Sequence, residues 1–311
     1  MAFIHVPGNP EPEGAEELWF EGRGGLRLRA LWAPALSARK QGSVLLCNGR
    51  TEFIEKYFEL IREFQSRGFC VLTMDWRGQG LSDRLLPNRM KGHLTSFDDL
   101  VNDLSAAVRA LEARLPRPRI LVAHSMGGAA GLRGLQTRRL EADGAVFSAP
   151  MWGIASLSPA GLRFARFMNA LGFGALFAPG TPKTWKRERF WRNSVSHDKP
   201  RFERAQELLH TETKLAIAGV TLGWVDTAAS VCEGFLHSGS LAHIRMPVVV
   251  LSALKDTLVK NASHAEIVAL LPQARRVEVK NARHEILMET DEIRAVFWDE
   301  FDALARRLAR S

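Results

Sequence analysis

Short apolar runs alternate with longer amphipathic stretches along most of this chain, and that rhythm leaves few folds open. The runs are "SVLLCNG" (43–49), "FCVLTMD" (69–75), "RILVAHS" (119–125), "GAVFSAP" (144–150), "MPVVVLSA" (246–253) and "RRVEVK" (275–280). The middle ones are apolar on both faces, as strands of a parallel sheet covered by helices on each side must be. Between them, Ile54, Tyr57, Phe58, Ile61 and Phe64 repeat at helical spacing, as do Leu100, Val101, Leu104, Val108, Leu111 and Leu115, and near the end Ile293, Val296, Phe297, Phe301, Leu304 and Leu308. Ahead of them, "LWFEGRGGLRLRALWAP" reads as two antiparallel strands around Gly22, Gly24 and Gly25, with Leu26, Leu28, Ala30 and Trp32 at period two on one face. This order predicts an α/β fold built on a mostly parallel, doubly wound sheet.

One segment breaks the rhythm. From Met151 to Ser240 there is no clear strand, only helix-compatible pieces such as "GLRFARFMNALGF" and "RFERAQELLH". An insertion of that length between core strands predicts a helical lid. The expected organisation is a core of residues 1–150 and 241–311 with a lid of residues 151–240. The insertion carries eleven Lys and Arg against seven Asp and Glu, with Trp185, Phe190, Trp191 and Trp224 interspersed. Its basic, aromatic character suits contact with an anionic membrane surface. The plainer alternative makes "KTWKRERFWRN" (183–193) a solvated helix face with buried tryptophans.

The formal charge of +8 on 311 residues raises the question of nucleic acid. No recognition motif or aromatic-interleaved basic repeat accompanies it, so no nucleic-acid partner is expected. Cys47, Cys70 and Cys232 are odd in number and irregularly spaced, which predicts buried free thiols in a reducing compartment. The amino terminus has no basic region leading into an apolar segment, and nowhere does an uninterrupted apolar stretch reach membrane-spanning length. A cytoplasmic protein, peripheral at most to the inner face of a membrane, is expected. Its oligomeric state is not encoded in these features.

"LVAHSMGG" (121–128) carries the chemistry. An apolar strand ends at Ser125, and a helix rich in small residues follows. This is the setting of a nucleophile elbow, where the serine sits on a strained turn and positions two before and two after must be small. Ala123 and Gly127 meet the demand, Ala123 with one methyl more than the strict glycine. A serine capping the helix amino terminus is the competing reading. A serine nucleophile needs a base and an orienting carboxylate, each beyond the carboxyl end of a later strand. Asp256 and His284 stand at those places. The oxyanion formed on attack needs backbone N–H donors, assigned to Met126, next to the nucleophile, and Arg50, in the "NGRTEF" loop. His124 is expected to point elsewhere along the turn and His264 to lie on the surface. His197, His210 and His237 fall in the insertion. No His or Cys spacing suggests a metal, and "RGQGLS" is not a nucleotide fingerprint, so neither metal nor cofactor is expected.

Together "NGRTEFIEKY", "MDWRGQGLSDR", "VAHSMGG", "SALKD" and "ARHEIL" resemble the serine α/β-hydrolases, most of all the bacterial lysophospholipases and the monoacylglycerol lipases. The resemblance covers roughly residues 15–150 and 241–305 and is weak in the insertion. Where monoacylglycerol lipases begin the oxyanion loop with His-Gly, this chain has Asn48 before Gly49. The shared Asp-x-Arg-Gly-x-Gly-x-Ser segment falls on Asp75, Arg77, Gly78, Gly80 and Ser82, read as structural, with the Asp and Arg tying a glycine-rich loop. His93 is likewise read as structural. The resemblance implies a serine carboxylic-ester hydrolase acting through an acyl-enzyme on a single-chain lipid, either a lysophospholipid or a monoacylglycerol, with transacylation as a related outcome. The alternatives are a small-ester hydrolase or serine aminopeptidase of the same fold and, more remotely, a non-catalytic lipid- or protein-binding module. Haloalkane dehalogenases and epoxide hydrolases are set aside because their nucleophile is an aspartate.

Overall fold

A computed structural model describes residues 3–237 and 239–310. Strands β1 (Glu16–Gly22) and β2 (Leu26–Ala33) form an antiparallel pair, with Glu16 opposite Trp32 and Gly22 opposite Leu26. The remaining strands are β3 (Gly42–Cys47), β4 (Phe69–Met74), β5 (Arg119–His124), β6 (Gly144–Ser148), β7 (Val248–Ala253) and β8 (Ala274–Val279). In the described residues they make one eight-stranded sheet in the order β1-β2-β4-β3-β5-β6-β7-β8, parallel from β4 onward. Strands β3 to β7 are buried along their whole length, whereas β8, at the edge, is partly exposed until Val279. That is the burial expected when helices cover both faces of a parallel sheet.

Helices α1 (Phe58–Ser66), α2 (Phe97–Ala110), α3 (Ser125–Gln136), α4 (Pro159–Met168), α5 (Lys199–Thr211), α6 (Leu222–Phe235), α7 (Asn261–Val268) and α8 (Asp291–Leu308) connect and cover these strands. The chain steps from β3 out to β4 and then back past β3 to β5. Right-handed crossovers therefore put α1 on one face and α2 and α3 on the other. Helix α8 joins α1 through aromatic packing, with the Phe64 ring 5.0 Å from Trp298 and 4.9 Å from Phe301.

Strand β2 departs from the simple alternation its sequence suggested. Leu28 and Ala30 are buried on one face, but Arg29 and Leu31 are buried on the other. The guanidinium of Arg29 is brought inside by Glu17, Glu55 and Asp75 together. Burial of a charge is tolerated only with such partners, and these lie too far along the chain for a local pattern to announce them.

Between β6 and β7 the described residues contain three α-helices and no named strand. Helix α6 buries Trp224, Ala228 and Phe235 in the main core. Helix α4 rests on its neighbours through a smaller cluster of Ala165, Ala178 and Leu222, and Leu208 of α5 packs with Val6, Phe53 and Leu215. Residues 183–189 have no regular structure, 190–192 form a single tight turn, and Trp191 is 73% exposed, so the solvated helix with buried tryptophans does not form. Trp185 and Phe190 fall on different sides of a helical wheel, leaving no stripe for a helix to bury. The three cysteines are free and buried. Among the described residues no helix is long and apolar enough to cross a membrane.

Candidate active site

Ser125 is the first residue of α3, directly after β5, and its backbone has φ +50°, a left-handed conformation in which a non-glycine residue is strained. Such strain persists only where the surroundings dictate it. A side chain at Gly127 would stand 2.4 Å from the carbonyl oxygens of Cys47 and Asn48, so the helix can approach β3 only with glycine there. The methyl of Ala123 is accommodated because it faces the bare backbone of Gly131, where an added Cβ would sit 3.5 Å away.

The turn presents Ser125 Oγ 2.8 Å from His284 Nε2, and His284 Nδ1 lies 2.6 Å from Asp256 Oδ2. His284 follows β8, and Asp256 lies in the turn after β7, so three residues distant in sequence meet at one end of the sheet. The other oxygen of Asp256 accepts N–H bonds from Leu258 and Val259 at 2.7 and 3.1 Å, so this carboxylate shapes its turn and holds the imidazole at once. Burial works to raise its pKa, but the bonds from His284 and those two N–H groups outweigh it and keep the carboxylate below its ordinary range. Ser125 and His284 are nearly enclosed, at 9% and 5% exposure.

The loop after β3 supplies the surface facing Ser125. Glu52 accepts the Gly49 N–H, and the Gln79 side chain accepts the Thr51 N–H at 2.6 Å. The Arg50 N–H between them makes no hydrogen bond among the described residues. Met126 lies in the first turn of α3, where N–H groups have no partner inside the helix. Arg50 and Met126 line one small cavity with His93, Gly92 and Trp224.

Sequence reasoning did not find the network beneath this loop. Lys56 bridges Glu52 and Glu285 at 2.7 Å each, and the Tyr57 hydroxyl donates to Glu52 at 2.7 Å. The one local signal was the Glu52/Lys56 spacing of one helical turn. Burial would raise the pKa of Glu52, but the Lys56 ammonium foremost, with the hydrogen bond from Tyr57, holds it well below the usual carboxylate range. With its folded pKa lowered, its stabilising contribution is complete above the ordinary value of about 4.3 and is lost only as the pH falls toward the lowered one. Glu52→Ala should free the Gly49 N–H and loosen the Arg50 donor, lowering kcat about tenfold to hundredfold. Slower fluorophosphonate labelling of an otherwise folded variant would be the signature, and wild-type turnover would remove Glu52 from this role.

His124 does turn away from the serine hydroxyl. Its Nδ1–H donates to the Ser148 carbonyl at 3.0 Å, and its ring packs 4.8 Å from that of His284. Burial pushes its pKa down to about 4, so it is a neutral neighbour. His264, expected at the surface, is instead fully buried, bonded to Ser252 Oγ and the Pro150 carbonyl at 2.8 Å each. Helix α7 packs against β7, and the ring is held between Ser252 of that strand and the Pro150 carbonyl after β6. In the glycine-rich segment Asp75 and Arg77 do tie the loop, but to different partners. Asp75 accepts from Ile54 and Leu81 N–H and from Arg29, filling the space where a Gly80 side chain would sit, and Arg77 pairs with Asp103. His93 Nδ1 lies 2.8 Å from Thr221 Oγ1.

The loop carrying His284 is braced from the insertion. The Glu285 N–H donates to the Val195 carbonyl, Arg283 reaches the carbonyls of Asn193 and Ser196, and Ser196 Oγ donates to the Met288 carbonyl. Glu289 accepts from the N–H groups of Arg283 and His197. No spacing in the sequence could have shown this, because the partners lie some ninety residues apart. Among the described residues no group of three or more His, Cys, Asp or Glu is placed to hold a metal ion.

A family model described as "Serine aminopeptidase, S33" matches residues 38–291. Lysophospholipase L2 of Escherichia coli K12 is 32% identical over 266 residues, spanning 81% of this chain and 77% of its own. A probable lysophospholipase L2 of Haemophilus influenzae is 30% identical over 273 residues, spanning 86% and 84%. A solved structure of a soluble variant of monoglyceride lipase from Saccharomyces cerevisiae superposes with a TM-score of 0.72 at 16% identity, covering 94% of this chain and 96% of that one.

Proposed function

This chain belongs to the serine aminopeptidase S33 family and has the α/β-hydrolase fold, and from that premise we propose that Ser125, His284 and Asp256 hydrolyse the ester of a single-chain lipid. The observation that carries this reading is the unbroken relay from Ser125 Oγ through His284 to the Asp256 carboxylate. His284 Nε2 takes the hydroxyl proton as Oγ bonds to the acyl carbon, and Asp256 stabilises the imidazolium that forms. The oxyanion is met by the N–H groups of Arg50 and Met126. Collapse of the tetrahedral intermediate breaks the ester C–O bond, and the proton passes from His284 to the leaving alcohol. Water repeats the sequence on the acyl-enzyme and releases the fatty acid. An alcohol in place of water gives transacylation with the same proton transfers.

The two relatives named as lysophospholipases favour a lysophospholipid over a monoacylglycerol as preferred substrate. The family description keeps a second reading in view, hydrolysis of aminoacyl amides. A panel of lysophospholipids, monoacylglycerols, short p-nitrophenyl esters and amino-acid amides separates these. Highest kcat/KM on long-chain lysophospholipid is the expected result, and turnover of amides alone would overturn it.

The insertion of residues 151–240 acts in this reading as a lid that meets the lipid surface, with α6 remaining in the core as the outer part adapts. Phe164, Phe167 and Leu171, on α4 and the turn that follows, share one helical face, and all three are exposed together with nearby Phe173 and Leu176. The insertion also carries Lys183, Lys186, Arg189 and Arg192. An exposed apolar face and basic residues in one segment suit the anionic inner face of a membrane, and three free thiols suit the reducing compartment behind it. Anionic liposomes should float more of the protein than neutral ones. Phe167→Ser should weaken that partitioning about tenfold, the order expected for one buried aromatic side chain, and equal binding to both liposomes would end the electrostatic part of the reading.

A further inference from the structure

Most buried guanidiniums of this chain meet carboxylates: Arg29 with Glu55, Arg77 with Asp103, Arg201 with Glu59, Arg294 with Glu63. Arg50 does not. Its side chain has one polar partner among the described residues, the Ala218 carbonyl, which accepts from Nη1 at 3.3 Å. Its Cζ stands 5.7 Å from the centre of the Trp224 ring, and it lines the cavity beside Met126. Arg84 also ends on carbonyls, those of Ser82 and Lys214, but lies outside that cavity. A guanidinium offers a planar fork of N–H donors suited to bidentate oxyanions, so most of Arg50's hydrogen-bonding capacity is left without a protein partner beside the cavity that Met126 also lines. Burial without a counter-charge pushes its pKa down to about 10, so it stays protonated at neutral pH and gains from any anion brought beside it.

We propose that the Arg50 guanidinium is the receptor for the phosphate of the substrate headgroup, so that one residue reads the lipid twice, by its N–H at the acyl oxygen and by its side chain at the phosphate. The proposal rests on the lipid-ester reading above and makes it specific. The dimensions agree: as many covalent bonds separate the acyl carbon of a 1-acyl lysophospholipid from its phosphorus as separate the Arg50 backbone nitrogen from its guanidinium carbon. Trp224 closes one side of the guanidinium and shields the contact from water, which strengthens it. The cavity holds only about 10 Å³, so the segment bearing Ala218 shifts as the headgroup enters, and the phosphate replaces its carbonyl as partner. A neutral monoacylglycerol leaves the guanidinium unpaired, which is a reason for the site to prefer the phosphorylated lipid.

The test compares kcat/KM for a lysophospholipid with that for the monoacylglycerol of the same chain in wild type, Arg50→Met and Arg50→Lys. The ratio is the readout, whatever each substitution does to turnover of both substrates. Arg50→Met should lower the ratio at least about tenfold, chiefly through KM, with Arg50→Lys between it and wild type. An unchanged ratio in Arg50→Met overturns the proposal while leaving lipid-ester hydrolysis intact. Inorganic phosphate supplies a second arm that needs no lipid. It should inhibit wild-type cleavage of a short p-nitrophenyl ester competitively and Arg50→Met several-fold more weakly. Equal inhibition of the two overturns the receptor role. A wild type that cleaves short esters but neither lipid defeats the lipid reading, and the phosphate arm still decides on Arg50. Inhibition without any lysophospholipid preference would assign the site to free phosphate and overturn the headgroup claim.

Discussion

Ser125→Ala should abolish ester hydrolysis, with kcat falling by roughly six orders of magnitude, since loss of the nucleophile costs about as much as loss of the entire relay. The substitution removes a single oxygen. Alanine occupies the same backbone conformation at a cost close to that of serine, and the packing that enforces the turn, Gly127 against β3, is untouched. The variant should therefore fold like the wild type by circular dichroism and lose all labelling by a fluorophosphonate probe. Residual labelling at another serine, or hydrolysis within a hundredfold of wild type, would take the assignment away from Ser125.

Asp256→Asn should cost about four orders of magnitude in kcat, for a different reason. The carboxylate accepts the Nδ1–H of His284 and leaves Nε2 free to accept from Ser125. An amide of the same shape can turn its NH2 toward the ring and stabilise the opposite tautomer, in which Nε2 carries the proton and cannot act as base. Because Asp256 also anchors the N–H groups of Leu258 and Val259 through its other oxygen, asparagine preserves the turn and the effect is read on chemistry rather than folding. The lowered pKa of this carboxylate keeps it ionised above its ordinary value of about 3.9 and for some way below it, so the support it gives His284 fades only as the pH drops through the lowered value. A loss of less than tenfold in Asp256→Asn would mean that another group orients His284.

How much of this was legible beforehand follows from how far apart the interacting groups lie. The strands from Gly42 onward announce themselves because parallel-strand burial and helical spacing are local properties. Ser125, Asp256 and His284 were legible because an elbow must sit between a strand and a helix and its partners must follow later strands, a rule about order that a linear sequence preserves. The proposed oxyanion donors, Arg50 and Met126, rest on the same rule. Arg29 and Glu289 stayed hidden because each is understood through partners far along the chain, and nothing in the neighbourhood of Arg29 says that Glu55 and Asp75 will enclose it. Glu52 stayed hidden although Lys56 and Tyr57 are close in sequence, because opposite charges one helical turn apart read equally well as a solvated pair. His264 was misjudged for a related reason. A helix with little amphipathic contrast, such as α7, gives no sign of which side it will press against the sheet.

The ties between residues 193–197 and the loop around His284 bear on any attempt to trim this protein to a smaller catalyst. Excising everything between β6 and β7 would take away the struts that hold the loop of the imidazole along with the proposed lid. A shortened version has to keep that short span as a graft, and exchanging caps with a related enzyme will succeed only if the donor carries its own equivalent of it.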